Sequence, residues 1–199
     1  MLSITDRVRK RLFDIALSVV GIGLTWWLML IAWMIASLET GGNGLFIQRR
    51  IGKKGEPFCV FKIKTMKQTT SFSTTVTTSH DSRITRSGVF FRKTKIDELP
   101  QLFNVLLGSM SFVGPRPDVP GFADQLTDKD REILLVRPGI TGPASLKYRD
   151  EEEILAKQKD PERYNREIIW PDKVAINRAY IKEWSFQKDI QYIIKTVTG

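Results

Sequence analysis

The chain has 199 residues, 42% of them hydrophobic and 27% charged, with a formal net charge of +9 at pH 7, a balance that excludes disorder as the default and favours polyanionic partners. That length holds one packed domain and leaves little room for a second. One cysteine, Cys59, and one histidine, His80, exclude an internal disulfide framework, a structural zinc site, a Cys/His nucleophilic pair and a Ser/His/Asp triad.

In chain order, the first element is apolar: from Ile15 to Leu38, 24 consecutive residues carry no charge. As a helix rising about 1.5 Å per residue, this run is long enough for a hydrocarbon core of roughly 30 Å. A soluble core helix would show a polar stripe, and only Ser18, Thr25 and Ser37 offer one; a cleaved signal peptide would be shorter and end at small residues. Arg7, Arg9, Lys10 and Arg11 precede the run, and Arg49, Arg50, Lys53, Lys54, Lys62, Lys64 and Lys67 follow it. Both flanks therefore favour the cytoplasmic side, which one crossing cannot satisfy and a re-entrant helix can. Such a helix needs a break, for which Gly21, Gly23, Thr25 and Trp26-Trp27 are the available weak points.

Gly41-Gly42-Asn43-Gly44 marks the end of this helix. Leu45-Phe46-Ile47 and Phe58-Cys59-Val60-Phe61 read as short strands of a hairpin turning between Gly52 and Pro57, with Cys59 as a small core residue. The Ser- and Thr-rich stretch 68–79 reads as a solvated loop, with a cover over a polar site as the minority reading, and His80 as a surface residue. Lys95 to Leu106 reads as a turn into a short helix, with Pro100 in its first turn and Leu102, Phe103, Val105 and Leu106 on its apolar face. Asp97-Glu98 falls at the positive end of that helix, where carboxylates and phosphates are both stabilised. Gly114-Pro115-Arg116-Pro117 is a rigid turn presenting an arginine, and Pro138 to Pro143 is a second punctuated loop; neither is a GxGxxG or GxxxxGK fingerprint. Asp150 to Thr198 reads as helical, broken at Trp170-Pro171, with Trp184 and Tyr192 suited either to a headgroup layer or to plain packing. The expected fold class is α+β, with a basic flank and a re-entrant membrane helix over 1–40 and a cytoplasmic domain with C-terminal interfacial helices over 41–199.

A basic domain tied to a membrane, with a carboxylate dyad at a helix start, suits phosphoryl chemistry. Arg83, Arg86, Arg92 and Arg116 can neutralise phosphate oxygens, and the carboxylates can ligate magnesium or attack phosphorus. The plainer alternatives are a dyad that only caps a helix and arginines that only coat a surface.

The chain resembles the bacterial sugar transferase family, the monotopic phosphoglycosyl transferases that initiate glycan assembly. The resemblance runs from Lys10-Arg11-Leu12-Phe13-Asp14 to Ser185-Phe186-Gln187-Lys188-Asp189. It is carried by Gln48-Arg49-Arg50-Ile51-Gly52, Phe61-Lys62-Ile63-Lys64-Thr65-Met66, Asp81-Ser82-Arg83-Ile84-Thr85-Arg86-Ser87-Gly88, Ile96-Asp97-Glu98-Leu99-Pro100-Gln101-Leu102, Ser111-Phe112-Val113-Gly114-Pro115-Arg116-Pro117 and Arg137-Pro138-Gly139-Ile140-Thr141-Gly142, in that order.

The resemblance implies an enzyme of the bacterial inner membrane, with its catalytic domain on the cytoplasmic face. It would transfer a sugar 1-phosphate from a UDP-sugar to a polyprenyl phosphate, undecaprenyl phosphate being the expected acceptor, and release UMP. It casts Asp97 as a nucleophile that forms a covalent phosphosugar intermediate and Glu98 as a ligand of Mg2+. Arg92 is expected at phosphate, Arg116 near the nucleotide, and Lys62, Lys64, Arg83 and Arg86 among the substrate contacts; a homodimer is compatible. Two positions depart from the pattern. Trp26-Trp27 stands where relatives carry Ser-Pro in the membrane helix, and Lys64 stands for an arginine, keeping charge but losing the planar fork. Direct transfer in a ternary complex and a noncatalytic membrane adaptor are the competing readings. A nucleic-acid binder finds no base-stacking module or recognition helix to support it.

Overall fold

The computed structural model describes residues 3–67 and 81–199. The stretch 68–79 and His80, read above as a loop and a surface residue, therefore lie outside the described residues.

Helix α1 runs from Ile4 to Thr40 without interruption, about 55 Å at 1.5 Å per residue. Ser3 caps its start, its hydroxyl accepting from the Asp6 N–H, and Gly41 ends it with φ 67° and its N–H on the Ser37 carbonyl. The chain then turns so tightly that a Cβ on Gly44 would stand 2.3 Å from the Trp33 carbonyl. The break expected near Trp26-Trp27 is absent. Neither tryptophan lacks an N–H as proline does, so the helical hydrogen-bond ladder passes through them, and the hydroxyls of Ser18, Thr25 and Ser37 fold back onto the carbonyls four residues earlier.

The way α1 sits on the rest of the molecule follows from its sequence. Asp14, Ser18, Met29, Ala32 and Ala36 are buried, and they recur at steps of three, four and their sums, along one helical face. Between them, Gly21 lies against Leu102, where an added Cβ would stand 3.1 Å from a leucine methyl. Small residues thus let the helix approach the soluble part along nearly its whole length. At one end, Phe13 meets Phe186 edge-on at 5.1 Å. At the other, Glu39 accepts from the Ser87 hydroxyl and N–H. The remaining face exposes Val19, Val20, Leu24, Trp26, Trp27 and Leu30, among others.

Strands β1 (Leu45–Ile51) and β2 (Pro57–Ile63) form the expected antiparallel hairpin, longer than predicted, with Leu45 opposite Ile63 and Ile51 opposite Pro57. Cys59 is exposed on β2 instead of packed in a core, because the strand alternation turns its neighbour Val60 inward. Helix α2 (Arg86–Thr94) follows, then a 3-10 turn over Ile96–Glu98 and helix α3 (Gln101–Leu107). Leu102 and Val105 of α3 are buried as predicted, while Phe103 is exposed on its outer side.

Strand β3 (Ser111–Val113) pairs in parallel with β4 (Gly139–Thr141), a strand hidden within what reads as a loop. The approach here is so close that a Cβ on Gly139 would stand 2.2 Å from the Gly114 nitrogen. Helices α4 (Pro143–Lys147), α5 (Glu151–Ala156) and α6 (Pro161–Tyr164) follow. A π-turn over Asn165–Ile169 leads directly into α7 (Trp170–Lys182), and α8 spans Phe186–Thr198. Trp170-Pro171 does not separate two helices: the π-turn ahead of it, closed by the Trp170 N–H on the Asn165 carbonyl, widens the backbone where Pro171 lacks an N–H and carries the chain on into α7. Trp184 and Tyr192 point inward: both pack against the core built from Val113, Ile133, Leu134, Val174, Tyr180 and Ile181. The result is a small α+β fold on one long apolar helix. That helix shares a core with the remainder, since Ala32 and Ala36 pack with Ile63 and Phe91.

Candidate active site

Strand β2, the 3-10 turn before α3 and the loop after β3 converge on one charged cluster, to which β1, α2, α5 and α7 add further charged side chains. Helix α2 ends at Lys95, which adopts φ 58° and so turns the chain sharply into Ile96–Glu98. A non-glycine residue in the left-handed region is held there by its surroundings, which makes the turn a strained and specific piece of backbone. The Lys95 carbonyl accepts from the Glu98 N–H at 3.1 Å and that of Ile96 from Leu99 at 3.2 Å, closing the turn.

Asp97 and Glu98 then meet opposite environments. Asp97 is 8% exposed, and its Oδ1 is buried without a hydrogen-bond partner. Burial, aided by the adjacent Glu98 charge, raises its carboxyl to about 6, against the pull of Lys62, Arg92 and Lys95. Glu98 is buried too, but Arg116 and Lys62 outweigh that burial and hold it well below the usual carboxylate range. Lys62 Nζ donates to Glu98 Oε1 at 3.0 Å, and the Arg116 guanidinium donates to both oxygens of the same carboxylate. Arg116 is raised chiefly by Glu98, whereas Lys62 is lowered because its burial exceeds the help from Glu98. One carboxylate of the pair is thus neutralised and occupied; the other is charged near neutrality and has a free oxygen.

The structure brings Asp97, Glu98, Lys62 and Arg116 together, with Arg92 close enough to act on Asp97 electrostatically. Arg92 itself pairs with Glu152 of α5, and its Nη1 lies 3.6 Å from Met66 Sδ. The other sequence-predicted contacts have partners or settings of their own. Arg83 is gripped by Asp81 through bonds of 2.6 to 3.1 Å. Arg86 is exposed in the first turn of α2, and Lys64 is half-buried just beyond β2, its N–H on the Gly44 carbonyl.

Sequence reasoning missed several members of the cluster. Arg50 on β1 bonds the Gln48 side chain and the Pro117 carbonyl, and burial lowers it despite the opposing charge of Asp118. Asp118, raised by burial, feels both Lys173 and Arg50; Lys173 in turn pairs with Glu151 at 2.6 Å. Arg50 lies inside one motif already singled out and Asp118 directly follows another, so their charge was an available signal. Nothing local marks Lys173 or Glu151.

Among the described residues, no group of three or more His, Cys, Asp or Glu side chains is placed to hold a metal ion. Magnesium, however, commonly binds through one or two carboxylates and completes its shell with water and substrate phosphate. The unpartnered Asp97 Oδ1 fits that need without any exchange of partners, whereas Glu98 would have to release Lys62 or Arg116.

Compared with known proteins, residues 5–199 match the family described as bacterial sugar transferase. The chain is 40% identical over 121 residues to a putative undecaprenyl-phosphate N-acetylgalactosaminyl 1-phosphate transferase of Bacillus subtilis, covering 60% of this chain and 68% of that protein. It is 36% identical over 195 residues to a UDP-N-acetylgalactosamine-undecaprenyl-phosphate N-acetylgalactosaminephosphotransferase of Aeromonas hydrophila, covering 94% of this chain and 42% of the relative. A UDP-glucose:undecaprenyl-phosphate glucose-1-phosphate transferase of Xanthomonas campestris is also 36% identical over 195 residues, with 95% and 38% covered. The chain therefore spans about two fifths of the length of the latter two relatives.

Proposed function

Because the chain belongs to the bacterial sugar transferase family, we propose that it transfers a sugar 1-phosphate from a UDP-sugar to a polyprenyl phosphate, undecaprenyl phosphate in the first instance, on the cytoplasmic face of the inner membrane. The observation that carries this reading is Asp97: a buried carboxylate with a free oxygen, next to a second carboxylate saturated by Lys62 and Arg116, in a domain seated on a long apolar helix.

In the first step an Asp97 oxygen attacks the sugar-linked phosphorus of the donor. A phosphorus–oxygen bond forms to the carboxylate, the bond to the UMP oxygen breaks, and UMP leaves with that electron pair. In the second step an oxygen of the polyprenyl phosphate attacks the same phosphorus, the acyl phosphate bond breaks, and the Asp97 carboxylate is regenerated. Neither step consumes a proton. A raised carboxyl group is the better nucleophile once ionised, and at about 6 Asp97 is mostly ionised at neutral pH. Arg116 and Lys62 hold two positive charges beside the transferring group, where placement ahead of the reaction matters more than binding strength. Magnesium would be held by the Asp97 oxygen not used in attack, and by Glu98 only after it releases Lys62 or Arg116, and would supply neutralisation of diphosphate oxygens.

The packing of α1 supports a one-sided membrane attachment. Both ends of the helix lie on the same soluble domain, through Phe13 at one and Glu39 at the other, so threading through the bilayer would strip one end from its partners. A helix along the surface of one leaflet, its tryptophan- and leucine-rich face in lipid, meets the positive charge of both flanks without a re-entrant break. The reading is tested by incubating the full chain in lipid nanodiscs with UDP-N-acetylgalactosamine or UDP-glucose and undecaprenyl phosphate. Repeated turnover, with UMP released well beyond one equivalent per enzyme only when the acceptor is present, supports the transfer; no release from any UDP-sugar in a broad screen refutes it.

A further inference from the structure

The turn Lys10-Arg11-Leu12-Phe13-Asp14 near the start of α1 takes no part in the chemistry above, yet three of its side chains reach the two elements that carry that chemistry. Arg11 Nη1 donates to the Val105 carbonyl at 2.6 Å and Nη2 to the Leu106 carbonyl at 2.8 Å. Both carbonyls lie in the last turn of α3, at the negative end of its dipole, where that of Val105 also accepts from the Gly108 N–H at 3.1 Å. Asp14, 2% exposed, accepts from the Phe112 N–H and the Ser111 hydroxyl, both at 3.1 Å. Lys10 Nζ donates to the Val113 carbonyl at 2.9 Å and to Asp189 Oδ2 at 2.5 Å. Asp189 is itself buried and held by the Tyr180 hydroxyl at 2.7 Å and Trp184 Nε1 at 3.0 Å.

The chain order gives these contacts their consequence. Helix α3 follows Asp97-Glu98 almost at once, and β3 runs through Val113 into the loop that presents Arg116. The two segments are joined by the Arg116–Glu98 pair, by the chain from Gly108 to Met110 and by the small core in which Phe112 packs against the cluster of Val60, Val105 and Met110, and β3 has only three residues to anchor itself on β4. One turn of α1 grips the tail of α3 and the backbone of β3 at the same time.

We propose that Lys10, Arg11 and Asp14 are positioning residues that set the dyad turn against the Arg116 loop from within the membrane helix, so that the seating of α1 and the geometry of the site are one event. The kinetic part of this proposal rests on the sugar-phosphate transfer reading; the structural part does not.

The test uses Arg11→Met, Asp14→Ala and Asp14→Asn in the full chain in nanodiscs, with melting curves, hydrogen exchange and steady-state UMP release. Asparagine keeps an oxygen acceptor for the Phe112 N–H, and alanine does not. The expected result is a kcat lower by about tenfold or more for Arg11→Met and Asp14→Ala, with donor KM changed by less than about threefold and substantial rescue in Asp14→Asn. Exchange should rise in peptides covering 99–107 and 111–117 while the rest of the domain stays protected. A kcat within about twofold of the parent for both disruptive variants overturns the proposal. So does exchange raised evenly over the whole domain, or loss of cooperative melting in both, because the turn would then be holding the fold and not the site. If the parent protein releases no UMP, the transfer reading fails, and the exchange pattern alone decides the clamp.

Discussion

Lys62 Nζ lies 3.0 Å from Glu98 Oε1, and this contact between β2 and the dyad turn helps separate the fates of two adjacent carboxylates. Glu98 is held charged and occupied, while Asp97 keeps a free oxygen in the same buried turn.

Asp97→Asn should abolish turnover and leave the fold more stable. The folded carboxyl group sits near 6, above its ordinary 3.8, so the folded state disfavours the ionised form. That penalty applies above the folded value and fades as pH falls through 6 toward 3.8. Chemical denaturation near pH 7.5 should show the variant more stable by about 1–3 kcal/mol, with the difference shrinking to nothing by pH about 4.

The same carboxyl group predicts the acid limb of the rate profile. For the parent protein, kcat/KM should fall below pH about 6 as Asp97 takes up a proton. Glu98→Gln removes the neighbouring negative charge, which is second only to burial in raising Asp97. The residual activity of that variant should therefore carry its acid limb to lower pH, and a limb that stays put or moves up would contradict the electrostatic account.

Ala36 is fully buried between α1 and the domain, so Ala36→Leu should overpack that seam and destabilise the protein by about 1–3 kcal/mol in a denaturant titration. Leu30→Ala, on the exposed face, should barely change stability in detergent and should weaken partitioning onto anionic vesicles.

Membrane topology can be read with single cysteines at Thr5 and Gly42, both exposed and at opposite ends of α1, in a Cys59→Ser background. An impermeant maleimide should label both positions only where the cytoplasmic face is accessible. Labelling of the two from opposite faces would establish a crossing.

Much of this architecture is legible in the residues. The uncharged run from Ile15 to Leu38, the glycines that end it and the hairpin turn between Gly52 and Pro57 each reflect local forces that act over a few residues. The dyad at Asp97-Glu98 and the arginine between two prolines stand out because their types are costly to place without a purpose. What stays hidden depends on distant partners. Strand β4 is three residues of Gly-Ile-Thr whose extended shape comes from pairing with β3, and no periodicity can show in so short a piece. The unbroken course of α1 follows from a packing stripe of small residues that reads, without its partner, as weakness. The pairing of Lys173 with Glu151, and of Lys10 with Asp189, joins residues 22 and 179 positions apart, beyond the reach of any local pattern.

The most direct test of Asp97 as nucleophile is intact-protein mass spectrometry of enzyme quenched after exposure to UDP-sugar alone, without a lipid acceptor. The account predicts an added sugar phosphate on the parent protein, with an equal release of UMP, and no such adduct on Asp97→Asn. UMP release that appears only when the acceptor is present, with no adduct at any time, would contradict it and assign the transfer to a single direct step.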